Sequence, residues 1–259
     1  MIHRVWGGGS AMWQAIKATY RNAWTFAIAL PLLAALAIGF EALQHVVEWS
    51  IGMYASRHAA LLTQFHPART VAGIAKVLVV FALGFWVARF VISGGATSFT
   101  LRRDTAALRR YAVVVAFGIV IGIAPEVAAA VLPRVGLPRA GVLGITAVVF
   151  IGGTLLRIAL SYWFAVAAVA ERQATAAASL RIAGPSVVWG LGLTLAVILP
   201  PMVLHYIFGL GAIGKPAPVA VAMLSLDAIL VGFLSLLIGA ITVTIARRMA
   251  DRAGLPLAA

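Results

Sequence analysis

Six long apolar stretches constrain this chain more than any other feature of its sequence. A helix that crosses the hydrocarbon core of a bilayer needs roughly 20 mostly apolar residues. The sequence therefore predicts an all-α fold, with one polytopic membrane domain over residues 1–259. The six predicted transmembrane helices cover residues 23–40, 71–93, 111–132, 140–170, 186–210 and 219–246.

Composition excludes the other broad classes of protein. Hydrophobic residues make up 63% of the chain and charged residues 10%, and the mean hydropathy is +1.05. Soluble domains are about half apolar and a quarter charged, so a soluble globular domain, a disordered chain and a coiled coil are excluded. Long apolar runs also disfavour a β-barrel, whose strands are short and alternating. The lack of cysteine excludes disulfides and thiolate metal sites.

The segment before the first apolar stretch has the pattern of an amphipathic surface helix. Its apolar side chains share one helical face, and its basic side chains flank that face. We therefore expect residues 1–22 to form a helix on the cytoplasmic surface of the membrane. The apolar face consists of Trp13, Ile16, Tyr20 and Trp24, and the flank carries Lys17 and Arg21.

Basic residues predict the orientation of the chain. The net charge is +13. Most of the 20 Lys and Arg residues fall in segments that lie, if all six stretches cross the membrane, on the same side of it as the N-terminus. Basic connections stay in the cytoplasm, so we expect both termini to be cytoplasmic. A cleaved signal peptide over residues 23–40 is a disfavoured alternative, because its basic leader is unusually long. The polar segment 41–70 is expected to connect the first two spans outside.

Four ionisable residues fall within or near the predicted spans, namely Glu126, Arg157, Asp227 and Lys76. Charges inside a membrane are costly and mark functional sites by default. A structural ion pair that fixes helix packing is the alternative interpretation. From the expected depths, we predict that Arg157 pairs with Asp227 or Glu126. Lys76 would then be available to the other carboxylate.

Glu41, His45 and Glu48 form a second candidate site, for a divalent metal ion. Their spacing places carboxylate and imidazole ligands on one helical face. His58 and His66 lie in the same connection, but their spacing is not diagnostic. A solvated helix face just outside the bilayer is the alternative.

Two arginine pairs form a third candidate site, for anionic lipid headgroups. Arg102 and Arg103 precede Arg109 and Arg110 by seven residues beside a predicted span. Each basic residue near the membrane surface adds roughly 1 kcal/mol of attraction, although a role in topology alone is a sufficient explanation. We expect membrane lipids, and also other membrane proteins, as partners. No nucleic-acid-binding motif is present.

Catalytic signatures are absent from the sequence. There is no Gly-rich nucleotide loop followed by Lys, no His-Glu-x-x-His and no Gly-x-Ser-x-Gly. We therefore expect neither enzymatic activity nor a cofactor.

Three short features stand at the ends of the predicted spans. Tyr20-Arg21-Asn22 leads into the first span, the fourth span ends at Glu171, and residues 178–184 lead to Trp189 of the fifth span. These features resemble a broad group of bacterial six-helix inner-membrane proteins, similar to the membrane domain attached to some glycerophosphodiester phosphodiesterases. Ile182 and Ala183 depart from the family pattern. The resemblance implies a bacterial inner-membrane location and a membrane fold without a catalytic centre. The phosphodiesterase domain itself is absent.

These observations predict a non-enzymatic integral membrane protein with a structural or accessory role. A small transporter or channel component that uses the intramembrane charges is the alternative, and a membrane-embedded enzyme ranks third.

Overall fold

The structure is a computed structural model that describes residues 8–170 and 175–257; Glu171 lies outside these ranges. The described part of the chain is helical and contains no strand, which confirms the predicted all-α class. Eleven α-helices follow one another: α1 Gly8–Ala29, α2 Pro31–Ser50, α3 Arg57–Thr63, α4 Pro67–Ile92, α5 Thr97–Leu101, α6 Thr105–Val131, α7 Arg139–Ala159, α8 Ser161–Ala167, α9 Ala176–Ala183, α10 Ser186–Gly211 and α11 Ala217–Ala253.

Six of these helices are long and apolar enough to cross a membrane, namely α2, α4, α6, α7, α10 and α11. The protein is therefore a multi-pass integral membrane protein. The chain was predicted to form a single domain. Its residues group, by their contacts with one another, into two compact units. Unit 1 comprises residues 1–101 and 193–244, and unit 2 comprises residues 102–192 and 245–259. Helices α10 and α11 contribute residues to both.

The first predicted span differs from the structure, because residues 23–40 lie across two helices. Helix α1 ends at Ala29 and α2 begins at Pro31. Leu30 separates them, with φ −134° and ψ 60°. Proline disfavours helical backbone at the residue before it, and its fixed φ suits the first turn of a helix. The helix that starts at Pro31 extends to Ser50, so residues 41–50 belong to a candidate span rather than to a polar connection.

The fourth predicted span is also two helices, because a serine interrupts the hydrogen bonds of its backbone. In a continuous helix, the Trp163 N–H would donate to the Ala159 carbonyl. Here Trp163 N–H donates to the Ser179 hydroxyl (3.3 Å), and that hydroxyl donates to the Ala159 carbonyl (2.8 Å). Inserting a side chain into the ladder is a known cause of helix breaks. Helix α7 consequently ends at Ala159, and α8 begins at Ser161.

Residues 8–22 of the predicted surface helix are helical and belong to α1, whereas residues 1–7 lie outside the described residues. The buried face of α1 consists of Ala11, Thr19, Ala23 and Phe26. Trp13 and Trp24 are more than half exposed. The Tyr20 hydroxyl donates to the Val197 carbonyl of α10 (2.9 Å). Pro201 lies four residues after Val197 and has no N–H to offer that carbonyl. The tyrosine therefore satisfies an acceptor that the proline leaves open.

Small residues bring the helices of unit 1 into close contact. A Cβ on Gly232 of α11 would lie 2.4 Å from Ile38 Cγ1 of α2, and 3.1 Å and 3.2 Å from the Ile38 backbone nitrogen and Cα. A Cβ on Gly239 would lie 2.9 Å from Val87 of α4. Such close approach is the usual reason for glycine between membrane helices. Helix α11 thus packs closely against α2 and α4.

Unit 2 uses the same means of packing. A Cβ on Gly153 of α7 would lie 2.9 Å from the Ile121 side chain of α6. Its own polar contacts include Arg248, whose guanidinium stacks on the Trp189 ring at 4.4 Å from the ring centre. These contacts hold α6 to α7, and the end of α11 to the start of α10.

Candidate functional site

Helix α2 buries its polar face and exposes its apolar face. Glu41, Gln44, His45 and Glu48 are all less than 9% exposed, whereas Leu32 and Val46 are 86% and 64% exposed. The spacing i, i+3, i+4, i+7 places the four polar side chains on one face. This inversion is expected where the surroundings are lipid and the polar groups satisfy one another inside the bundle. The predicted alternative of a solvated face is therefore wrong for these residues.

Other elements of unit 1 bring further polar side chains to this face. Tyr54 follows α2, Arg69 and Lys76 lie one above the other on α4, and His205 and Asp227 come from α10 and α11. Together with the four residues of α2, they form a polar cluster of nine side chains. Within it we distinguish the Glu48 network (Gln44, Glu48, Tyr54, Arg69) from the Glu41 site (Glu41, His45, Lys76, His205, Asp227).

In the Glu48 network, donors surround one carboxylate. Glu48 Oε1 accepts from Arg69 Nε (2.8 Å) and Gln44 Nε2 (2.9 Å), and the Tyr54 hydroxyl donates to Oε2. Arg69 also donates to the Gln64 carbonyl at 3.0 Å. Three donors therefore serve this carboxylate, as a buried charge requires.

Tyr54 joins this network to a small apolar core. Its ring packs against Ala212, Ala220 and Leu224, and its carbonyl accepts from the Gly214 backbone N–H (2.8 Å). Burial raises the pKa of the Tyr54 phenol, and the neighbouring Glu48 charge raises it further. The phenol therefore remains a hydrogen-bond donor to Glu48 at any physiological pH.

The Glu41 site contains two further buried carboxylates, of which Glu41 lacks comparable support. Asp227 is fully buried and contacts two imidazoles: His205 Nδ1 lies 2.8 Å from Oδ1, and His45 Nε2 lies 3.0 Å from Oδ2. Glu41 Oε1 lies 3.6 Å from His45 Nε2, and Oε2 lies 2.8 Å from Lys76 Nζ. The angles of the lysine contact are not those of a hydrogen bond, and Glu41 Oε2 has no hydrogen-bond partner among the described groups.

His45 links the two halves of the cluster. Its Nδ1 lies 2.9 Å from the Tyr54 hydroxyl oxygen and 3.3 Å from Glu48 Oε2, while its Nε2 faces Asp227 and Glu41. The formal charges of the cluster are three carboxylates against Lys76 and Arg69. Because the Tyr54 hydroxyl donates to Glu48, His45 Nδ1–H donates to Tyr54, while Nε2–H faces the Asp227 carboxylate. A His45 that carries both protons balances the three carboxylates together with Lys76 and Arg69.

The Glu41 site also has the residue types of a metal centre. One ligand atom each from Glu41, His205 and Asp227 lies within 4.8 Å of the others. The sequence predicted Glu41, His45 and Glu48 as weak metal candidates. The structure brings the first two to this site and places Glu48 in its own network. His58 and His66 are exposed, and His66 Nδ1 accepts from the Ala68 N–H at the start of α4.

The four ionisable residues predicted to lie within or near the spans do not pair with one another in the way that was predicted. Asp227 contacts His45 and His205, and Lys76 contacts Glu41, so the predicted partners of these two residues are corrected. Arg157 lies near the end of α7, half-buried, with Tyr111 as an electrostatic neighbour. Glu126 is exposed on α6. Asp227 therefore contacts histidine side chains where an arginine was predicted.

The four arginines proposed for lipid headgroups do not share one helix. Arg102 and Arg103 precede Asp104, whose side chain accepts from the Ala107 N–H and caps α6, whereas Arg109 and Arg110 lie within α6. Arg110 Nη1 donates to the Ala170 carbonyl (2.6 Å). Arg102, Arg103 and Arg109 are exposed.

His205 is the functional residue that the sequence reasoning missed. It lies inside an apolar span, four residues after Pro201, and is an intramembrane ionisable group in the same sense as Asp227. The rule that singled out Asp227 would therefore have found it. Tyr54 and Arg69 carry no such signal, because they lie at or beyond span ends.

No family model, curated protein or solved structure matches this chain. The resemblance to membrane domains of glycerophosphodiester phosphodiesterases stays a prediction.

Proposed function

We propose that the protein is a transporter that moves a small cation across the membrane by way of the Glu41 site. The observation that carries this proposal is a pair of fully buried carboxylates, Glu41 and Asp227, inside an apolar bundle. Ionisable groups at such positions are costly and commonly mark ion pathways. Two adjacent carboxylates attract positive charge, which favours a cation as the transported species, and His45 and Lys76 lie beside them in this structure.

The experiment is cation flux into liposomes that contain the purified protein and a trapped indicator, tested with Na⁺, K⁺ and Zn²⁺ in turn. We expect flux from the wild type and at least about a tenfold loss for Asp227→Asn, because a neutral amide no longer attracts the ion. Glu126→Gln is the matched control, since it neutralises an exposed carboxylate in another candidate span. Equal flux from Asp227→Asn and wild type would contradict the proposal.

A structural or accessory role is the second candidate, and the Glu48 network favours it. There each charge has a close partner, as in a packed bundle whose ion pairs only fix helix positions. On this alternative, liposomes show no protein-dependent flux of any of the three cations. The same protein would then act through contacts with lipids or other membrane proteins.

We further propose that the chain lies in a bacterial inner membrane with both termini in the cytoplasm. The distribution of basic residues supports this orientation, and exposed Arg102, Arg103 and Arg109 would then face anionic headgroups. A reporter fused after Arg252 should be cytoplasmic, and one inserted near Thr63 should be external. A cytoplasmic signal at Thr63 would contradict the orientation.

A further inference from the structure

We propose that the Glu41 site binds one divalent first-row transition metal ion, such as Zn²⁺, through Glu41, Asp227, His205 and His45. The claim that the site binds a metal ion is independent of the proposed function. The claim that this ion is the one transported rests on the proposed function. Two carboxylates and two imidazoles are a common ligand set for such ions, whereas Mg²⁺ and Ca²⁺ prefer oxygen alone.

Geometry is the first support. Zn²⁺ binds nitrogen and oxygen at roughly 2.0–2.2 Å, so the ligand atoms of a tetrahedral site lie roughly 3.3 Å from one another. His45 Nε2 lies 3.0 Å from Asp227 Oδ2 and 3.6 Å from Glu41 Oε1, which brackets that separation. The ligand atoms of Glu41, His205 and Asp227 all lie within 4.8 Å of one another. The shell closes if side-chain movements bring these atoms from separations of up to 4.8 Å to that distance.

Burial and hydrogen bonding are the second support. Glu41 is 1% exposed, and its Oε2 has no hydrogen-bond partner among the described groups. A buried carboxylate oxygen normally has a donor or a metal ion beside it. Lys76 supplies charge at 2.8 Å but no hydrogen bond. A metal ion bound by the Glu41 carboxylate would supply the partner that this group lacks.

Lys76 acts as a competitor for the ion. Its side chain is 22% exposed and has a flexible four-carbon stem, so the ammonium can leave Glu41 when an ion enters. His205, 25% exposed, is the ligand nearest to the surface and the natural first contact for an entering ion. The second shell is already present, because His45 Nδ1 lies beside Tyr54 and Glu48, which orient its Nε2 toward the site.

The test is calorimetric titration of tag-free protein in detergent with Zn²⁺, with Mg²⁺ as the comparison ion. We expect one Zn²⁺ per chain and much weaker binding of Mg²⁺. Asp227→Asn and His205→Gln should each weaken Zn²⁺ binding at least about 100-fold, since even outer-shell partners are worth 10–100-fold. His58→Ala removes an exposed histidine outside the site and should bind as the wild type does.

A substitution of Lys76 is expected to increase the affinity for Zn²⁺, and a misfolded protein would not show such an increase. Lys76→Met should bind Zn²⁺ about tenfold more tightly, because it removes a positive charge beside the ion. Lys76→Arg keeps that charge and should stay near the wild type. Absence of stoichiometric Zn²⁺ binding overturns the proposal. It is also overturned if the two single variants, His205→Gln and Lys76→Met, both bind Zn²⁺ with the affinity of the wild type.

Binding and flux separate this proposal from the proposed function. Stoichiometric Zn²⁺ binding without flux of any cation into liposomes supports the site and contradicts the transporter. Protein-dependent flux of Na⁺ or K⁺ without Zn²⁺ binding supports the transporter and overturns the metal site.

Discussion

Glu41 and Glu48 lie two turns apart on one face of α2, and both are almost fully buried, yet their surroundings differ. Glu48 accepts hydrogen bonds from Arg69, Gln44 and Tyr54. Glu41 has one close cation and an oxygen without a hydrogen bond. A buried carboxylate with a full set of donors contributes to structure, and one without it is free to bind something else. The same helix face thus combines a carboxylate that accepts three hydrogen bonds with one whose Oε2 accepts none from the described groups.

The largest difference is expected when each carboxylate is neutralised in turn. Glu48→Ala removes the acceptor of three donors, Arg69 among them, so we expect the free energy of unfolding to fall by about 3–5 kcal/mol. Glu41→Gln should lower it by less, because Lys76 has a flexible stem that can carry its ammonium to water when the charge of Glu41 is removed. Detergent-titrated unfolding followed by circular dichroism measures both. Equal losses would abolish the distinction between the two halves.

A smaller effect tests what fixes the spacing of the Glu41 site. Gly232→Ala places a methyl group 2.4 Å from Ile38 Cγ1 and against its backbone, and overpacking of this kind costs about 1–3 kcal/mol. It should also weaken Zn²⁺ binding, since α2 and α11 carry Glu41 and Asp227. Gly209→Ala on α10 is the matched control, because nothing lies within 4 Å of its added Cβ. A stable Gly232→Ala protein with unchanged Zn²⁺ affinity would show that this contact is unimportant.

The smallest effect concerns a single donor of the Glu48 network. Tyr54→Phe keeps the ring packed against Leu224 and removes one hydrogen bond, so we expect a loss of about 1 kcal/mol. Zn²⁺ affinity should fall only modestly, because Tyr54 touches His45 from the second shell. A loss as large as that of Glu48→Ala would show that the network depends on this hydroxyl.

Tyr54 also makes stability depend on pH in one window. Its pKa is raised in the folded protein, whereas unfolded tyrosine titrates near pH 10. Its contribution is therefore constant below about pH 10 and is lost as the pH rises further, because the unfolded chain then binds fewer protons. Unfolding midpoints of wild type and Tyr54→Phe should converge above about pH 10. Parallel curves through that range would contradict the raised pKa.

The sequence predicted the helical class and most spans because apolar length is a local property. Helices α4, α10 and α11 cover the predicted stretches 71–93, 186–210 and 219–246 almost completely. The two stretches that differ do so for reasons at single residues. Pro31 begins a helix instead of kinking one, and Ser179 breaks a helix from 16 residues away in the chain. The second interaction is tertiary, so hydropathy carries no trace of it.

The candidate site was predictable only in part. Glu41, His45 and Glu48 stood out by spacing, and Asp227 by its place in a span. Their convergence, however, depends on which helices are neighbours, and hydropathy does not encode this. The expected pairing of Arg157 with a carboxylate came from depth alone, whereas α2 and α11 approach closely at Gly232 and bring His45 to Asp227.

The contact of Gly232 with Ile38 gives α2 a pivot seven residues after its first residue, Pro31. Glu41 lies three residues from Ile38, roughly 4.5 Å along the helix, and Glu48 lies ten residues away, roughly 15 Å. A tilt of about 10° about this point would displace Glu41 by about 0.8 Å but Glu48 by about 2.6 Å. The same tilt would displace His45, seven residues from Ile38, by about 1.8 Å. A tilt of α2 would therefore disturb the Glu48 network most and His45 next, and Glu41 least.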